Sequence, residues 1–275
     1  MKNLLIPLDF STHSIYALKA GAKIAKKYDY AITLVHMLEL PRGFATNSFD
    51  NHAMRYKINL VKEKIKNTID GHGLDQIKVN VVIKHFTVFQ EIKNIAKEYN
   101  SSLIVMGSHG KEDEKISYLG SNTEEVVKNS KIPVLVIKEE LQNIDFENPI
   151  FVSDFKIECA DAYKRLKAFF DEIGVKPKLL FVNVPQNGFV SSEDMESRFK
   201  NFLIKAEGNL KNLNSFVNYD DYNVEDGAIN FAKKHKSSII SVATHGISGF
   251  AGLFHKSISI GLTNKSRIPT LTSLI

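Results

Sequence analysis

The chain contains one cysteine, Cys159, no tryptophan and only seven prolines among its 275 residues. A lone cysteine excludes a disulfide framework within the chain and points to a reducing compartment. Nine histidines are present, but no H-x-x-x-H and no paired Cys/His spacing, so no metal site is expected. There is no Walker loop G-x4-G-K-[ST], no G-x-G-x-x-G after the first apolar run and no G-x-S-x-G elbow. These absences remove the P-loop NTPases, the dinucleotide-binding enzymes and the α/β-hydrolases. No apolar run reaches membrane-spanning length, and the first is broken by Asp9 too early for a signal peptide. A cytoplasmic location and no membrane partner are therefore expected. Residues 1–142 carry 20 basic and 16 acidic side chains and the rest 16 and 15, with no dense Lys/Arg block. The net charge of +5 reads as solvated helix surface, and nucleic acid is not an expected partner.

What the chain does have is a repeat. Ser101-Ser102-Leu103-Ile104-Val105-Met106-Gly107-Ser108-His109-Gly110 aligns with Ser237-Ser238-Ile239-Ile240-Ser241-Val242-Ala243-Thr244-His245-Gly246, identical at five of ten positions. The same 136-residue offset aligns Ser130-Lys131-Ile132-Pro133 with Ser266-Arg267-Ile268-Pro269. Two separate segments at one spacing mark a single unit written twice. A weaker match joins Ile6-Pro7-Leu8-Asp9-Phe10 to Phe151-Val152-Ser153-Asp154-Phe155. The polar stretch 139–149 between the units suits a short linker, giving domains 1–142 and 148–275.

Apolar runs alternate with segments of helical period. Strands are expected at 4–9, 31–37, 77–84, 103–106 and 132–137, with helices at 11–28, 51–71, 88–99 and from 121. The second unit repeats the order, with strands at 149–154, 178–184, 213–219, 238–243 and 268–272 and helices at 158–173, 192–211, 224–235 and from 257. Such alternation implies right-handed crossovers and an α/β fold with a mainly parallel sheet covered by helices on both faces. Ligands of such sheets sit at the carboxyl ends of the strands.

One motif there carries chemistry. Gly107-Ser108-His109-Gly110 is followed after nine residues by Gly120-Ser121, the form G-x-x-G-x9-G-S. Glycines let backbone amides approach an anion, and a helix starting at Gly120-Ser121 adds its unpaired N–H groups and dipole. Two other readings stay open at this point. Ser121-Asn122-Thr123-Glu124 also has the form of a capping box, and the glycines also suit plain turns. The polar segment 39–50 reads equally as a lid over this edge or as a surface connection.

Gly107-x2-Gly110-x9-Gly120-Ser121, the first strand ending in Pro7-Leu8-Asp9-Phe10-Ser11, the second ending in Val35-His36-Met37 and the last, Ile132-Pro133-Val134-Leu135-Val136-Ile137, together resemble the universal stress protein superfamily. The resemblance implies two tandem Rossmann-like domains of the adenine nucleotide α-hydrolase-like kind, each a five-stranded parallel sheet binding ATP, ADP or AMP, with or without magnesium. It assigns Pro7, Leu8 and Asp9 to the adenine side and Val35 to the base pocket. Met106, Gly107 and Gly110 meet the ribose and phosphates, and Gly120, Ser121 and Asn122 hold the phosphate chain. The second unit keeps Asp154 and Gly246 but has Ala243 for the first glycine and Lys256-Ser257 for Gly-Ser, so its site is expected to be degenerate. Single-domain relatives dimerise through their last strands, which implies pairing of 132–137 with 268–272 inside this chain, or a homodimer.

The reading that follows is an adenine-nucleotide-binding regulatory or stress-response module. No general base or nucleophile stands in position, so any ATP hydrolysis is expected to be slow. The alternative is a nucleotide-independent scaffold of the same fold. An ATP pyrophosphatase would need an S-G-G-x-D-S loop where this chain has Asp9-Phe10-Ser11-Thr12.

Overall fold

Strands covered on both faces carry unbroken apolar runs. β1 (Lys2–Pro7) is such a strand, buried beyond its first residue, with β2 (Tyr30–Leu38) on one side and β4 (Ser101–Gly107) on the other. The computed structural model describes residues 2–38, 51–85, 91–109, 119–144, 146–185, 189–244 and 258–275. β3 (Val79–His85) lies outside β2 and β5 (Val134–Ile137) outside β4, all in parallel. Connecting them are α1 (Thr12–Tyr28), α2 (Asn51–Gly71), α3 (Ile92–Glu98) and α4 (Ser121–Asn129). The order then recurs as β6 (Ile150–Val152), α5 (Ala160–Glu172), β7 (Lys178–Asn183), α6 (Ser192–Glu207), β8 (Phe216–Asp220), α7 (Val224–Lys234), β9 (Ile240–Thr244), α8 (Ile258–Lys265) and β10 (Thr270–Leu274).

The strands form one sheet in the order β3-β2-β1-β4-β5-β10-β9-β6-β7-β8. Read inward from either edge, each half follows the same sequence of third, second, first, fourth and fifth strand. β5 and β10 meet antiparallel, with Leu135 opposite Leu271, whereas every other pairing is parallel. The junction is tightened by the Leu274 amide on Ser130 O at 3.1 Å and by Ser273 Oγ on Lys131 O at 3.1 Å. One apolar cluster runs across the halves, from Leu4, Ile6 and Ile24 through Leu135 and Leu271 to Phe151, Tyr163 and Phe170. On the opposite face the core divides into two clusters, one for each half.

Local chemistry sets most helix starts. Ser11 caps α1, its Oγ accepting the Ser14 amide at 3.2 Å, and Asp29 in a left-handed conformation (φ 57°) ends it. The capping box at α4 does not form. Gly120 is the N-cap and contributes no side chain, Ser121 is the first helical residue, and Glu124 pairs forward with Lys128 instead of reaching back. In the second half a 3-10 turn (Ile157–Cys159) delays α5, and another (Leu213–Ser215) delays β8. The linker is fastened to α1: Lys19 pairs with Glu140 at 2.8 Å and Lys23 donates to Gln142 O at 2.8 Å. Phe146 then packs edge-on against Phe169.

Candidate functional site

The chain leaves β1 toward β2 on one side while β4 lies on the other, so the carboxyl ends of β1 and β4 form the switch point of the first half. Beyond β1 the Leu8 amide still bonds Val35 O at 2.8 Å. Phe10 then takes a left-handed conformation (φ 64°), which turns the chain into α1. Asp9 is oriented from within this turn, its Oδ1 accepting the Ser11 amide at 2.9 Å and Ser11 Oγ at 2.6 Å. The side chains of Leu8, Val35 and Met106 belong to the core, and Pro7 is buried with them. These residues shape the site floor mainly through their backbone.

At the end of β4 the first turn of α1 lies directly over Gly107. A Cβ added there would stand 2.5 Å from the His13 carbonyl carbon and 2.6 Å from its oxygen. Gly107 O accepts Thr123 Oγ1 at 2.8 Å, and the Gly120 amide bonds Ser108 O at 2.8 Å. The first intrahelical bond of α4 is Glu124 N to Gly120 O, so the amides of Ser121, Asn122 and Thr123 precede the ladder. Ser121 and Asn122 are exposed on this turn. The structure thus brings Asp9, Gly107, Gly120, Ser121 and Asn122 to one end of the sheet. Gly110 lies outside the described residues, as do Gly246, Lys256, Ser257 and the segment 39–50.

The second half repeats the corner with different contents. Phe155 is left-handed like Phe10 (φ 53°). It is fully buried, with Phe199 and Phe202 at ring distances of 4.9 and 5.2 Å, whereas Phe10 is partly exposed under Lys64, whose Nζ lies 4.2 Å from the ring. Asp154 is engaged locally: Lys156 Nζ lies 3.1 Å from Oδ2 and the Lys156 amide donates to Oδ1 at 3.2 Å. Ala243 occupies the place of Gly107. The 3-10 turn that delays α5 replaces the α-helical first turn that crowds Gly107.

Residues 1–138 match the model of the universal stress protein family. The chain belongs to the universal stress protein family. Universal stress protein MJ0531 of Methanocaldococcus jannaschii is 31% identical over 143 residues, covering 50% of this chain and 82% of that protein. Universal stress protein MJ0577 of the same organism is 30% identical over 159 residues, covering 50% of this chain and 96% of its own. A crystal structure of a universal stress protein from Archaeoglobus fulgidus superposes with a TM-score of 0.70, covering 99% of this chain and 98% of its own, at 19% identity. That last likeness is one of fold, and it spans both halves.

Two histidines inside the motifs of this universal stress protein, His36 and His109, and a third, His13, are given no role by the sequence. His36 is buried and its Nδ1 lies 2.6 Å from Leu8 O. A carbonyl only accepts, so the ring proton sits on Nδ1 and clamps the turn after β1. His109 lies beside His13, ring centroids 5.1 Å apart, with Nδ1 2.8 Å from Ser108 Oγ. Among the described residues no group of three His, Cys, Asp or Glu side chains is placed to hold a metal, and no helix is long and apolar enough to cross a membrane.

Cys159 sits 3.7 Å from Asp154 Oδ1. Burial pushes its thiol up to about 12, with the Asp154 charge adding to the rise. The thiolate is the reactive form, so the native protein is expected to resist iodoacetamide at about pH 8 and to label fully once denatured. Intact-mass spectrometry reads both states, and rapid labelling of the native chain would contradict the burial of Cys159.

Proposed function

We propose that residues 1–142 of this universal stress protein bind an adenine nucleotide, and that residues 148–275 form a partner domain whose matching place is closed. The observation that carries the reading is the exposed first turn of α4, where Ser121 and Asn122 stand at the switch point beside an oriented Asp9. Free amides and a helix dipole there suit a phosphate chain. ATP, ADP and AMP share the chemistry, and magnesium would be carried in with the phosphates. In the second half, Phe199 and Phe202 pack on Phe155 and Lys156 pairs with Asp154, which supports a single nucleotide per chain. The antiparallel β5–β10 junction supports a tandem protein built like a dimer of its own halves. The output in this reading is regulation by occupancy instead of turnover.

Nucleotide at about 100 times its Kd stabilises by about 2.7 kcal/mol, which raises the melting temperature by about 5 °C. Calorimetric titration should count one site. Ser121→Glu is the discriminating variant. An acid in the first turn favours the helix by about 0.3–1 kcal/mol, so the free protein keeps its melting temperature while the like charge repels phosphate. Absence of a thermal shift in the wild type, with and without magnesium, would leave the nucleotide-independent scaffold as the reading. Two equivalent sites would overturn the closed second half.

A further inference from the structure

The amide of Leu119, at the entrance to α4, does not face the site. It donates to Asn264 Oδ1 at 2.6 Å, and Asn264 lies in the last turn of α8, 145 residues away in the other half. Asn264 is held in turn, because its backbone carbonyl accepts Lys138 Nζ at 2.6 Å. Lys138 directly follows β5, whose last carbonyl, Ile137 O, accepts the Ser108 amide at 3.0 Å. Ser108 O closes the circuit by accepting the Gly120 amide at 2.8 Å. The ring of contacts therefore runs Ser108, Ile137-Lys138, Asn264, Leu119-Gly120 and back to Ser108. It fixes both flanks of the glycine motif, and its one member from the second half is Asn264 on α8, through both its side chain and its carbonyl. Ile260, one turn earlier on α8, packs against the core cluster that contains Leu119, so the helix is seated there by apolar contact as well.

We propose that Asn264 is a positioning residue for the first half's phosphate end, so that the second half governs the nucleotide affinity of the first. The proposal rests on the nucleotide reading above. Leu119 is buried, and an amide there left without an acceptor carries its full desolvation cost. The entrance to α4 would shift to recover a partner, and the Ser121 and Asn122 amides would shift with it. A closed half without its own ligand thus gains a role: it holds the open half in its binding geometry. The dependence is reciprocal, since a nucleotide that fixes the α4 entrance also fixes α8.

The test uses the full chain in three forms, wild type, Asn264→Leu and Asn264→Asp, with Lys138→Met as a second route to the same contact. Amide exchange of the segment containing Leu119 is read without nucleotide, and ATP affinity is read by calorimetry. Asn264→Leu, which has no acceptor, should speed Leu119 exchange and weaken ATP binding, each about tenfold. Asn264→Asp keeps the acceptor and should keep the protection. Lys138→Met should act in the same direction as Asn264→Leu, and it serves in its place if that variant fails to fold. Unchanged exchange in both variants overturns the clamp. Raised exchange with unchanged ATP affinity overturns its control of binding. If the wild type binds no ATP, the nucleotide reading falls and the control of affinity falls with it, while the exchange data still decide whether α8 holds the entrance.

Discussion

Replacing Gly107 by alanine should lower the melting temperature of the nucleotide-free protein by about 6 °C or more, the result of about 3 kcal/mol of overpacking. The added methyl would stand 2.5 Å from the His13 carbonyl carbon and 2.8 Å from its Cβ, so it meets backbone as well as side chain. Relief requires the whole first turn of α1 to lift, and that turn is tied down by the Ser11 cap. Two control substitutions sharpen the result. Gly21 also faces a crowded spot, but what crowds it is the end of the Ile6 side chain, which can change rotamer. Gly21→Ala therefore sets a modest repacking cost against the helix gain of about 1 kcal/mol for alanine over glycine, and should be near neutral. Ala243→Gly, at the matching place in the second half, removes a methyl that is already accommodated and should cost about 0.5–1 kcal/mol. Thermal unfolding monitored by circular dichroism reads all three. A Gly107→Ala protein melting with the wild type would mean that α1 does not rest on β4 as described.

The prediction changes how the glycine motif is understood. Gly107 lies at the end of β4, and its lack of a side chain is required by helix packing before any ligand arrives. Gly120 and the turn behind it are different. Gly120 has φ −61°, which any residue adopts, and its amide is used by Ser108 O. The donors offered outward belong to Ser121, Asn122 and Thr123, one step along from the glycine that marks the place.

The strands and their order of appearance were legible because each is an apolar run bounded by helical periodicity, and the repeat was legible because two segments share one offset. Ser11 and Thr12 are both cap-forming residue types ahead of the first helical run, and the structure selects Ser11. For Ser121 the same local pattern allows a box or a first-turn serine, and the preference of Glu124 for Lys128 decides it. Asn264, 145 residues from Leu119, leaves no trace in either local sequence. The difference between the halves was only half-visible: Ala243 signalled a changed site, but Phe199 and Phe202 read simply as the buried stripe of α6, and their packing on Phe155 appears only in the structure.

Residues 1–142 produced alone should form dimers, and should join residues 148–275 in a one-to-one complex when the two are produced together. β5 in the full chain gives one side to β4 and the other to β10, and Leu135 and Leu271 face each other fully buried at the centre. Cutting the linker leaves Val134–Ile137 as an unpaired apolar edge, the feature that promotes strand addition. The antiparallel geometry makes the edge self-complementary, because a second β5 can take the place of β10 with Leu135 opposite Leu135. The fragment also loses part of its shared core, since Tyr163, Phe169 and Phe170 pack on the same cluster as Leu4 and Ile24. The Lys2–Glu172 ion pair across the halves goes with them. Dimerisation restores the strand pairing, while only the true second half restores the aromatic cover as well. The one-to-one complex should therefore outcompete the fragment dimer at equal concentrations. Light scattering after size exclusion gives the masses directly. Val134→Lys places a charge on the bare edge, so like charges meet near the junction of two β5 strands and the dimer should weaken. A fragment that stays monomeric and soluble at high concentration, and ignores the second half when mixed with it, would show that β5 needs no partner and that the halves are held together by the linker alone.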